Sequence, residues 1–175
     1  MILAGMKTTA QRLNEALDVP ACTVVMTGTQ AITTSVDTDV SWSGVDGINW
    51  TDANGNPMWS AANPTRITIR KDGIYRIGFE LHYAVTDVDG KRVASLTRNN
   101  TGVPTNTATK AFDSSRFNTL NDPSPLGSHR ETPLNVGDIL RLSTWQNSGS
   151  TQNVIGNTIE GMSFMYAVWD RPLIS

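Results

Sequence analysis

The side chains able to do chemistry in this 175-residue chain are few and scattered. Its two histidines, His82 and His129, stand far from each other in sequence, and neither has a neighbour at the spacing of a metal site. A nucleophile elbow of the GxSxG type is missing, as are a phosphate loop and a GxGxxG turn. Asp87 and Asp89 form a DxDG turn that matches part of a calcium loop, but the further oxygen ligands and the late Glu of that loop do not follow. The one cysteine, Cys22, lies in the apolar run 21–26. It reads as a buried small hydrophobe and cannot pair within the chain. The expectation is therefore no catalytic residue, no cofactor and no metal ligand.

Tryptophan is the residue type with something left to offer. Five occur, and Trp50 and Trp59 flank the turn Asn54-Gly55. An indole at a loop can stack on a sugar or anchor a partner, and it can equally close the end of a core. Both readings stay open for Trp50 and Trp59 as possible ligand contacts.

Composition narrows the classes further. Hydrophobic residues make up 38% and charged residues 17%, with a net charge of -2. That is enough apolar material for a core. No basic block supports phosphate binding, so no nucleic-acid partner is expected. No apolar run approaches a membrane span, so no membrane insertion is expected. The first residues lack the long apolar core of a signal peptide.

The elements that carry these residues alternate with period two after Pro20. In 73–85, Tyr75, Ile77, Phe79, Leu81, Tyr83 and Val85 share one face, while Arg76, Gly78, Glu80 and His82 share the other. Ile67 and Ile69 precede it across the turn Lys71-Asp72-Gly73, where Gly73 is free to take a positive φ. Ala94 and Leu96 mark a strand over 92–98, and Leu140 and Leu142 one over 138–146, after the turn Asn135-Val136-Gly137. Between Asn99 and Pro125 runs a long Asn/Thr/Ser/Pro-rich stretch that reads as a functional or mobile connection.

Two segments need partners. In 162–169, Phe164, Tyr166 and Val168 point one way and Met165, Ala167 and Trp169 the other, so both faces are apolar. The favoured reading puts Met165, Ala167 and Trp169 on an outer face that meets another subunit, with coverage by the N-terminal helix as the alternative. That helix begins at the capping-box pair Thr8 and Gln11 and carries Ala10, Leu13 and Leu17 on one face. With the apolar arm containing Ile2 and Leu3, it forms an anchoring segment, 1–19, ahead of one domain, 20–175. At about three turns it is too short to stand alone in water. It docks on its own domain, a sister chain or a larger structure.

From Pro64 onward the order of features resembles the C1q/TNF-like jelly roll. The residues that carry the resemblance are Ile67-Thr68-Ile69, Asp72-Gly73-Ile74-Tyr75, the strand 93–99, Pro133-Leu134-Asn135-Val136-Gly137-Asp138, and Ser163-Phe164-Met165-Tyr166-Ala167. Met58-Trp59 is similar to the phage members of that family. Ala4-Gly5, Thr9-Ala10 and Leu13-Asn14 resemble a leader found on phage tail and surface proteins.

The resemblance implies an all-β, two-sheet antiparallel jelly-roll sandwich with a short N-terminal helix, assembled as a homotrimer. Its last strand would lie near the three-fold axis, giving an interface of Phe164, Met165, Tyr166, Ala167 and Trp169. It implies a non-enzymatic virion-surface protein of a tailed phage, either capsid decoration or minor tail or tail-fibre protein. Other virion proteins would hold its N-terminal segment. The alternative is a carbohydrate- or receptor-binding module for host attachment, with a host surface glycan as partner.

Overall fold

A computed structural model describes residues 18–84, 90–99, 125–156 and 162–173, and the backbone of 111–118. The expected anchoring residues Ile2, Leu3, Ala10, Leu13 and Leu17 lie outside the described residues, as do Asp87 and Asp89. All described regular structure is β: β1 Ala21–Val25, β2 Thr29–Ile32, β3 Thr38–Asp39, β4 Gly44–Asn49, β5 Ile67–Thr68, β6 Gly73–Tyr83, β7 Lys91–Arg98, β8 Ala111–Asn118, β9 Leu126–Leu134, β10 Ile139–Gln146, β11 Gln152–Ile155 and β12 Phe164–Arg171.

The strands form two antiparallel sheets. One runs β2-β11-β6-β12-β1-β4, with β9 also paired to β6, and the other runs β3-β10-β7-β8, with β5 also paired to β10. The alternation along β6 builds the core between them. Tyr75, Ile77, Phe79, Leu81 and Tyr83 are buried, and the facing sheet supplies Ile67, Ala94, Leu96, Leu140 and Leu142. Each large apolar side chain fully buried in this way contributes about 1.5–3 kcal/mol. Cys22 belongs to the same core, fully buried, and desolvation pushes its thiol pKa up to about 12.

Three expectations need correction. The stretch 99–125 is interrupted by β8, which pairs with β7 from Lys91↔Asn118 to Thr97↔Ala111. Next, β9 is a strand that alternation does not announce, because only Leu126, Thr132 and Leu134 of it are buried. Its Pro133 is tolerated because β9 bonds to β6 alone and so lies at an edge. Finally, Gly73 does not take a positive φ. It is glycine because Trp169 packs against it, and a Cβ there would fall 2.0 Å from Trp169 Nε1. The expected turn glycines Gly55 and Gly137 do have positive φ, at 81° and 90°.

Candidate functional site

The outward face of the larger sheet is the surface that the fold leaves apolar at its centre. Residues paired across strands share a face, so the register defines it in three rows. Val25, Phe164 and Glu80 form one, Thr23, Tyr166, Gly78 and His129 the next, and Ala21, Val168, Arg76 and Glu131 the third. Phe164 and Tyr166 stack at 6.3 Å between ring centroids, with 30° between planes. Gly78 leaves the room that the Tyr166 ring occupies.

Charge borders this centre at both ends of the strands. At one end His82 Nε2 lies 2.6 Å from Glu80 Oε1. His82 is buried rather than solvated on a polar face, which corrects the sequence reading. Its backbone N–H donates to Ser163 Oγ at 2.9 Å, and Ser163 donates in turn to the Ile155 carbonyl. At the other end Arg76 faces Asp170 at 3.7 Å, and Arg171 bridges Asp170 and Glu131. The carboxylates of Glu131 and Asp170 push the Arg171 pKa above its ordinary value. An apolar centre with a charged border is the pattern of an interface core and its rim.

The phase of β12 is opposite to the one expected. Met165 and Ala167 are fully buried in the protomer's own core, and Phe164, Tyr166 and Val168 are the half-buried outward residues. Trp169 also leaves the proposed outer face. It packs on the edge of the core and donates Nε1–H to the Asp72 carbonyl at 3.0 Å, with Lys71 Nζ 4.9 Å from its ring centroid. With two apolar faces, alternation alone cannot say which is inside. The pairing of Ala167 with Cys22 and of Met165 with Val24 decides it.

Trp50 and Trp59, for which ligand contact and packing are both open readings of the sequence, pack against the core. Trp59 is buried, and its Nε1–H donates to the Pro64 carbonyl at 3.2 Å. Trp50 is half-buried against the core and donates Nε1–H to Asp18 Oδ1 at 2.7 Å. The Asn54-Gly55 turn between them is held by Asp52, whose Oδ1 accepts the N–H groups of Asn54 and Asn56, both at 2.9 Å. Among the described residues no cluster of three His, Cys, Asp or Glu could hold a metal. No described helix is long and apolar enough to cross a membrane.

No family model matches the chain, and no curated protein matches it. Solved structures do. Eiger TNF from S. frugiperda aligns at TM-score 0.59 and 15% identity, covering 90% of this chain and 96% of that one. Murine APRIL at pH 5.0 aligns at 0.55 and 13%, covering 87% and 99%. The globular domain of zebrafish complement 1qA aligns at 0.51 and 15%, covering 87% and 98%. The fold is a C1q/TNF-like jelly roll. In this jelly roll the strand order β4-β1-β12-β6-β9 carries the apolar-centred face, with β12 at its middle. The likeness is one of fold at identities of 13–15%. It transfers no residue roles.

Proposed function

We propose that the chain is a non-enzymatic, homotrimeric jelly-roll module, displayed on the surface of a tailed-phage particle and held there by its N-terminal segment. The observation that carries the trimer is the outward face of β12, where Phe164, Tyr166 and Val168 line an apolar centre bordered by charge. Copies of the same chain are the proposed occupants of that face. A surface of this kind left open on a monomer favours association. The fold shared with the TNF, APRIL and C1q structures supports the reading. The placement on a virion, as capsid decoration or as a minor tail protein, draws on the leader-like residues Ala4-Gly5, Thr9-Ala10 and Leu13-Asn14.

The native mass of the purified full chain tests the trimer. Three times 19.0 kDa is expected, and a monomer at micromolar concentration would overturn it. Removal of residues 1–17 should leave the trimer intact and abolish its association with particles. A truncated protein that still joins particles would overturn the anchoring role.

A further inference from the structure

The outward face of the larger sheet carries a histidine in its middle row. That row runs Thr23, Tyr166, Gly78 and His129 across β1, β12, β6 and β9. Gly78 contributes no side chain, so His129 is the next side chain after Tyr166. The Tyr166 ring lies across Gly78, where its Oη and the Ser128 carbonyl of β9 crowd the same point. β12 and β9 are two strand spacings apart, about 10 Å. A surface that covers the Tyr166 ring therefore reaches His129 as well. In the protomer His129 is exposed. Among the described residues, no hydrogen bond or ion pair engages its imidazole.

The charges that share this face are already committed. On β6, Glu80 pairs with His82 and Arg76 faces Asp170 of β12. On β9 itself, Glu131 is held by Arg171. β7 and β8 also meet β9, but they belong to the other sheet, which lies behind this face. Their charged residues are Lys91, Arg92 and Arg98 on β7 and Asp113 and Arg116 on β8. Arg98 donates to the Pro133 carbonyl of β9. His82 is in a different position from His129. It is buried within the protomer, so covering the face changes little around it.

An imidazole ordinarily takes up its proton between about pH 5 and 8. On the open protomer a charged His129 is solvated. Beneath a neighbouring copy it loses that water, and its own face offers no uncommitted carboxylate in return. A covered, unpaired charge is disfavoured. We propose that His129 makes assembly through this face pH-dependent: the trimer forms with the imidazole neutral and dissociates when it is protonated. This rests on the trimer reading above and names how that interface is regulated. The assembled state then binds fewer protons than the separate protomers, so acid favours the protomers. With one site in each of three copies, the dissociation constant rises by up to about 10³ per pH unit. The concentration of half-dissociation follows its square root, up to about 30-fold.

The test dilutes the full chain from micromolar to nanomolar and reads its native mass. It is run at about pH 7.5 and about pH 5.5, a window in which carboxylates ordinarily stay ionised. A trimer is expected at the higher pH, and at the lower its half-dissociation concentration should be at least about tenfold higher. His129→Gln is neutral throughout, so its dissociation should be equal at the two pH values. His129→Lys is charged throughout, so it should be weakened at least about tenfold at the higher pH as well. Circular dichroism checks that each protein stays folded. A monomer at micromolar concentration and the higher pH overturns the trimer reading, and this proposal with it. A trimer whose dissociation is equal at both pH values, or absent at both, overturns the proposal and leaves the trimer standing. So does a pH dependence that survives in His129→Gln, or tighter assembly in acid.

Discussion

The ring of Tyr166 lies across Gly78, its cross-strand partner on β6, in the middle of the outward face. A Cβ on Gly78 would sit 2.8 Å from Tyr166 Oη, 2.9 Å from Tyr166 Cε1 and 2.7 Å from the Ser128 carbonyl oxygen. The glycine is thus set by tertiary contact, since its backbone φ is ordinary for any residue. Gly78→Ala should force the ring outward or spread β6 from β9, at a cost of about 1–3 kcal/mol. The midpoint of urea unfolding reads that cost. Adding Tyr166→Phe relieves only the Oη contact and should recover part of the loss. An unchanged midpoint in Gly78→Ala would mean that the ring does not rest on the glycine.

Adjacent residues of β12 should respond in opposite ways to the same charge. Met165 is fully buried in the core, so Met165→Asp places a carboxylate where nothing pairs with it and should unfold the protomer. Tyr166 faces outward, so Tyr166→Asp should leave a folded protomer that no longer assembles. Circular dichroism and native mass together separate the two outcomes. A Met165→Asp variant that stays folded as a monomer would move the interface to the other face of the strand.

The sequence made the core strands legible because their alternation is clean: Tyr75 to Tyr83 on β6, and Leu140 and Leu142 on β10, are buried as read. It was weakest at the edge of a sheet. β9 lies at an edge, where one neighbouring strand is enough and side chains need not alternate. The phase of β12 was hidden for the opposite reason. Apolar residues on both faces carry no direction, and only contact with Cys22 and Val24 supplies one. The indoles of Trp50 and Trp59, beside the recognisable turn, both find acceptors within the fold, and residue type alone does not carry that three-dimensional fact.

The turn into β10 depends on one buried carboxylate. Asp138 Oδ2 accepts the Asn135 N–H at 2.8 Å and lies 3.2 Å from Arg98 Nε, while Oδ1 accepts from Asn99 Nδ2 at 2.6 Å. Asn99 also accepts the Ile139 N–H through Oδ1 at 2.8 Å, which ties the end of β7 to the start of β10. Asp138→Ala strips partners from three donors at once and should cost about 1–3 kcal/mol for each that stays buried and unpaired. Asp138→Asn keeps the shape, so it should restore part of that loss in thermal unfolding. Equal stability of the alanine and parent proteins would mean that water replaces the carboxylate fully.

Alkaline pH should weaken the fold through its buried acids, with Cys22 and Tyr83 acting alongside Tyr75, whose phenol pKa burial also raises. Burial pushes the Cys22 thiol from 9.0 up to about 12. It pushes the Tyr83 phenol from 10.0 up to about 12, against the hydrogen bond with Thr144 and the charge of Arg92, which lower it. Both groups hold their protons more tightly folded than unfolded. Their contribution is complete below the unfolded values and is lost as pH rises toward about 12. Each group that is deprotonated only when unfolded adds a slope of about 1.4 kcal/mol per pH unit. The melting temperature should therefore fall progressively above about pH 9. Cys22→Ala should flatten the early part of that fall and Tyr83→Phe the later part, whatever each does to stability near neutrality. The Tyr83 change also removes a 2.7 Å hydrogen bond to Thr144, so its baseline should drop. If the double variant loses stability with pH as steeply as the parent protein, other groups govern the alkaline transition and the two acids are not its cause.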